Sequence, residues 1–181
     1  MPYRTLLLLL AACAMAAPVQ AEPPTSPYAG QQARSIKALS DEDIAALRQG
    51  DGMGLAKAAE LNGYPGPKHV LDMAAALHLS DEQRQQVNAI FARMSAAAKP
   101  LGAALIEREQ VLDQLFARGE ITPERLAVET AAIGDLQGRL RAVHLAAHLE
   151  TRALLDPDQI ALYRRLRSYD DPSAPAHHHH G

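Results

Sequence analysis

The sequence predicts an all-α protein of four main helices, one of them long and kinked, preceded by short helices. Three observations carry that expectation. Aromatic residues are only 4% of the 181 and Trp is absent, whereas a β-sandwich draws on aromatic and β-branched side chains. Ala and Leu, both good helix formers, are plentiful instead. Apolar residues also recur at three- and four-residue spacing over long stretches, the period of a helix with one buried face, and these stretches open on N-cap signals and close on glycines.

Residues 1–21 read as a signal peptide. Arg4 supplies the positive start, Leu6 to Ala17 an apolar run too short to span a bilayer as a mature helix, and Val19-Gln20-Ala21 the small residues of a cleavage site. Cleavage after Ala21 starts the mature chain at Glu22 and predicts a periplasmic protein. Leu10-Ala11-Ala12-Cys13 offers a second reading, a lipoprotein anchored through Cys13, against which stands the short apolar stretch ahead of the cysteine. Both readings export the chain. Cys13 is the only cysteine, so the body has no disulfide and must be held by its core or by a partner subunit. Loss of Arg4 reduces the 18 basic residues to 17 against 21 acidic ones, a net charge of −4. That balance carries no electrostatic footprint for nucleic acid. No later segment reads as a transmembrane helix.

Residues 22–62 read as a flexible leader and a short-helix extension. The leader is Pro/Ser-rich to about Gly30. Ser40-Asp41-Glu42-Asp43 caps a helix with acidic residues at its positive end, and Gly50 stops it. Met53 to Asn62 makes a second short helix, closed by Gly63 and the Tyr64-Pro65-Gly66-Pro67 turn. Gly50-Asp51-Gly52-Met53-Gly54 has the look of a phosphate loop, but no strand precedes it and no Lys-Ser/Thr follows, so it reads as a turn.

Residues 63–169 form the main helical domain. Val70, Met73, Ala74 and Leu77 share one face of a first helix. Ser80 and Gln83 make a capping box, and Val87, Ile90, Phe91, Met94, Ala97, Leu101, Leu105, Leu112 and Leu115 run through to Phe116. Pro100 lies inside that run, where it kinks the helix without ending it, because the apolar face continues in phase. Thr122-Pro123 opens the third helix, with Leu126, Ile133, Leu136, Leu140, Val143, Ala147 and Leu154 as its stripe. Asp156-Pro157-Asp158-Gln159 opens the last, through Ile160, Leu162, Tyr163 and Leu166. Residues 170–181 read as a disordered His-rich tail.

Leu79-Ser80-Asp81-Glu82-Gln83 and Leu155-Asp156-Pro157-Asp158-Gln159 are similar helix starts. With the signal peptide and the four-helix antiparallel layout, they make the chain resemble the LTxxQ family over about His69 to Arg167. Ser80 and Asp156 stand where the family has Thr, and both still cap a helix. That family contains the Spy/CpxP-type periplasmic chaperones and the periplasmic heavy-metal sensor and resistance proteins. The resemblance implies a hooked antiparallel hairpin that dimerises through its long helices into a shallow cradle. Chaperone members bind unfolded chains there. Sensor members bind transition metals through histidines, carboxylates and sometimes methionine, and neither group is an enzyme. The segment Tyr28 to Asn62 looks like an extension shared with the metal-sensor subset.

Among the residues themselves, His144 and His148 are the sharpest feature. At i, i+4 on a helix their rings project from one side and can share a metal ion, on the flank of the apolar stripe beside Leu140. Glu150 falls on another face. His69, a carboxylate such as Glu107 or Glu109, or the tail residues His177, His178, His179 and His180 can complete the set. The plain alternative is two helix-flank histidines that pack or face solvent. Neutral imidazoles suit Zn, Ni, Cu or Co. His78 reads as exposed beside a cap, and Met53, Met73 and Met94 as core filler. No nucleophile or metalloprotease motif is present, so no catalysis is expected.

Leu145 and Leu149 widen the apolar surface of the third helix, more than a thin monomer covers, which predicts a homodimer. Two functions follow. The first is a periplasmic metal-binding protein of the heavy-metal sensor or resistance type, with an inner-membrane signalling partner. The second is an ATP-independent chaperone holding unfolded envelope proteins on its apolar surface, with Arg84, Arg93, Arg108, Arg139 and Arg141 available to clients. The histidines favour the first, and the acidic net charge weighs slightly against a cradle that attracts acidic clients.

Overall fold

The computed structural model describes residues 25–170, so the expected signal peptide with Cys13 and the tail histidines His177–His180 lie outside the described residues. The chain divides after Gln32 into two units. In the first, the Ala29 and Gln31 N–H groups donate to the Ser26 and Tyr28 carbonyls at 3.0 Å, closing a turn. The second unit is all-helical among its described residues, with the elements α1 (Asp41–Gln49), α2 (Lys57–Glu60), α3 (Pro67–Asp72), α4 (Asp81–Ala117), α5 (Pro123–Leu154) and α6 (Pro157–Leu166).

The long helices α4 and α5 pack against each other as an antiparallel hairpin, and α1 and α3 lie on α4. Ser80 starts α4 with its hydroxyl accepting the Gln83 N–H at 3.1 Å, while Gln83 Oε1 accepts the Ser80 N–H at 3.0 Å. Asp156 and Gln159 repeat that box at α6, at 2.8 and 3.1 Å. Each cap of this kind contributes ~1 kcal/mol. The two glutamines then do more than cap. Gln83 Nε2 donates to Gln159 Oε1 at 2.9 Å and to the Leu154 carbonyl at 2.9 Å. Gln159 Nε2 donates back to Gln83 Oε1 at 3.1 Å and to the Leu77 carbonyl at 3.3 Å. The two helix starts are thus bolted together at the open end of the hairpin.

Two apolar clusters fill the body. At the open end Val70, Ala74, Leu77, Leu79, Val87, Leu155 and Tyr163 pack together. In mid-hairpin Ala98, Leu105 and Ile106 of α4 and Ile133 and Leu140 of α5 bury with Ile36 and Leu47 from the extension. Full burial of one Leu or Ile stabilises by ~1.5–3 kcal/mol.

α4 runs unbroken through Pro100 as a long kinked helix. Its buried face differs from the expected stripe in detail, because Ala98, Gly102 and Ile106 are buried while Ala97 and Phe116 are exposed. Small residues carry little hydrophobic signal, so the pattern did not reveal which alanine faces inward. The expected helix from Met53 to Asn62 shrinks to α2, because Met53 and Gly54 take positive φ of 44° and 78° and turn the chain. One expectation needs correcting. An 18-residue stretch of α4 is, by length and composition alone, apolar enough to cross a membrane. The charges of this helix gather toward its two ends, and the Ala-rich stretch from Ile90 to Ile106 carries only Arg93 and Lys99.

Candidate functional site

His144 and His148 do not sit on an open flank: they are 3% and 9% exposed. The extension covers them. A Cβ on Gly52 would lie 3.7 Å from His144 Nδ1, and one on Gly66 only 2.9 Å from His148 Cε1 and Nε2. Gly66 is therefore the only residue that lets the turn before α3 close over the ring. His148 Nδ1 lies 2.7 Å from the Tyr64 carbonyl. A carbonyl can only accept, so Nδ1 carries the proton of this bond, and Nε2 faces Gly66. His144 Nε2 is buried and, among the described residues, has no hydrogen-bond partner. Burial first, then the neighbouring His148, holds the His144 pKa below the ordinary histidine value, with Asp51 opposing.

Beside this pair lies a polar centre that periodicity does not announce. The Glu60 side chain, 12% exposed, ends α2. Its Oε1 accepts hydrogen bonds from the Tyr163 phenol and, at 2.8 Å, from the Tyr169 phenol. Arg167 Nε is 3.7 Å away. Its Oε2 accepts the Gly66 N–H at 3.2 Å and lies 3.6 Å from His148 Nδ1, too far for a hydrogen bond. Burial and the Glu60 carboxylate push the Tyr163 phenol far above its usual pKa. Arg152 donates to the Gly63 carbonyl and stacks its guanidinium 4.6 Å from the Tyr64 ring centroid. These contacts pin residues 60–66 to α5 and α6. A buried Glu among phenols at the end of a four-residue helix leaves no repeat in the sequence; only the Tyr/Glu/Arg content hints at it.

The other expected ligands fall elsewhere. His69, on α3, is half-buried, and burial and then Arg167 lower its pKa, with Glu60 opposing. Glu109 is raised by burial and lines a shallow cleft of about 290 Å³ with Lys37, Leu112 and Phe116. Glu150 pairs with Arg93. Among the described residues no group of three or more His, Cys, Asp or Glu is arranged to hold a metal ion.

The apolar surface is broader than the histidine site. In mid-α4 the exposed positions are Ala92, Ala96, Ala97 and Ala103 with Arg93, Lys99 and Pro100, while Ile90, Leu105 and Ile106 are buried. Around the tip of the hairpin Val111, Phe116, Leu126 and Val128 are exposed, and Leu149 is exposed further along α5. Leu126 thus leaves the stripe predicted for it.

A helical hairpin whose two helix-opening glutamines lock its open end, with an apolar face left to solvent, defines the class of protein. The chain belongs to the LTXXQ motif family, whose model matches residues 66–167. The match begins at Gly66, so Glu60 and α1 lie ahead of the matched residues, whereas Gly66, His148, Tyr163 and Arg167 around Glu60 lie within them. No curated protein and no solved structure matches the chain.

Proposed function

We propose that this chain is an exported, non-catalytic holder of unfolded polypeptide, binding apolar client segments on its helical hairpin without ATP. The observation that carries it is the set of large apolar side chains left exposed on the hairpin, Val111 and Phe116 of α4 and Leu126, Val128 and Leu149 of α5. Exposed apolar side chains gathered on one part of a surface mark an interaction site. Family membership and the signal-peptide pattern agree with a periplasmic place for it. A second copy of the chain is a further occupant for part of the same face, which keeps the homodimer as part of this reading. The test is suppression of light scattering from reduced α-lactalbumin by the metal-free protein. Suppression near equimolar ratio supports the reading, and none overturns it.

The heavy-metal sensor reading stands second, on one observation: a buried imidazole nitrogen, His144 Nε2, without a partner. Against it, His148 is committed through Nδ1 to Tyr64, and two imidazoles fall short of the three or four protein ligands usual for Zn²⁺. The tail histidines would have to supply the rest. Calorimetry with Zn²⁺, Ni²⁺, Cu²⁺ and Co²⁺ on the full chain and on His144→Ala/His148→Ala decides it. A tight class of sites lost in the variant supports metal binding at the pair. Equal titrations exclude it.

A further inference from the structure

The extension is attached in two different ways. Residues 60–66 are pinned by the Glu60, Gly63, Tyr64 and Gly66 hydrogen bonds to α5 and α6 or within their own turn. Upstream, residues 36–55 lie over mid-hairpin almost wholly through apolar side chains, with Ile36 and Leu47 buried and Leu39, Ile44 and Leu55 packed beside them. Among the described residues, the only side-chain hydrogen bonds from 33–55 to the hairpin run between Lys37 and Asp113 at its margin. At the downstream end of the unpinned part lie three residues with positive φ, Gly50 at 74°, Met53 at 44° and Gly54 at 78°. The body beneath is shaped for a helix backbone. A Cβ on Gly102 would stand 2.2 Å from the Leu47 carbonyl oxygen, so α1 enters only because that residue is glycine. The face under α1 shares α4 with the exposed Val111 and Phe116.

From this arrangement we infer that residues 33–55 are an intramolecular cover that occupies a reserve client site, and that α1 swings off on the 50–54 turn to admit an amphipathic helical segment of an unfolded chain. The inference rests on the proposed holdase reading and adds the chemistry of the client to it. The occupant is identified by what now sits there: a short amphipathic helix, apolar on the side toward Gly102, polar on the other, with Asp41, Glu42, Arg48 and Gln49 outward. A pinned base, a turn of unusual backbone and an apolar lid are what a displaceable segment needs. A permanent third layer would be expected to share the polar ties that hold residues 60–66.

The test uses the full mature chain and two variants that weaken the cover from opposite sides. Gly102→Ala places a methyl where the Leu47 carbonyl lies, while Ala favours the α4 helix itself. Leu47→Ser weakens the lid without touching the hairpin. In both, amides of residues 41–50 should exchange at least ten-fold faster with deuterium, with α4 and α5 amides as protected as before. Suppression of reduced α-lactalbumin aggregation should rise at least two-fold at equal protein concentration. Freed α1 amides with unchanged suppression overturn the inference and leave the holdase reading standing. Unchanged α1 exchange in both variants overturns it as well. No suppression by any of the three proteins overturns the holdase reading and this inference with it.

Discussion

Glu60 and His144 show what single residues contribute here. Glu60 is the acceptor for two phenols and a backbone N–H. Hydrogen bonds to a charged group are worth ~1.5–3 kcal/mol each, and a buried donor left unpaired adds its desolvation cost. Glu60→Ala should therefore lower unfolding stability by ~3 kcal/mol or more, and Tyr163→Phe by less, both read from urea midpoints. His144 tests the sign of the pH response. Its folded pKa is lowered by burial, so above the unfolded value of ~6.5 neither state takes a proton and stability is full. As pH falls below that, the unfolded chain protonates first and stability is lost, at most ~1.4 kcal/mol per pH unit for one residue. His69 acts in the same direction. His144→Leu should flatten part of this decline between pH 6.5 and 5; an unchanged slope would show that the ring carries none of it. The i, i+4 spacing of His144 and His148 was legible in the sequence. Their burial was not, because it depends on Gly52 and Gly66 arriving from residues that local periodicity does not connect to α5.

At the scale of elements, the helix starts were the most legible part of the fold. Ser80, Thr122 and Asp156 cap where the sequence places them, since a cap depends on a few neighbouring residues. What stayed hidden is that Gln83 and Gln159 bond to each other across 76 residues, a tertiary fact with no local trace. Their coupling is measurable. In a double-mutant cycle of Gln83→Ala and Gln159→Ala, the interaction term should be ~1–2 kcal/mol, inside the range found for residues sharing a hydrogen-bond network. A term near zero would make them two independent caps. The boundaries that shifted have the same kind of cause: α2 is short because Met53 and Gly54 turn left-handed, and Phe116 is exposed because α4 outruns its cover near the hairpin tip.

For the whole molecule, the all-α class followed from composition and spacing and the hairpin from the resemblance to the LTxxQ family, while the extension's docking followed from neither. The expectation of surplus apolar surface was partly met from within, since Ile36 and Leu47 bury part of the stripe on α4 and α5. Light scattering at micromolar concentration should give twice the chain mass, and a monomeric mass with cooperative unfolding would remove the dimer. The central claim, that the exposed apolar side chains of the hairpin hold unfolded chains, is tested most directly by charging them. Val111, Phe116 and Val128 are exposed, and Glu is a good helix former. With helicity and unfolding midpoint unchanged, the triple variant Val111→Glu/Phe116→Glu/Val128→Glu should lose most of the native protein's suppression of reduced α-lactalbumin aggregation. Equal suppression by the native protein and the variant would contradict the account.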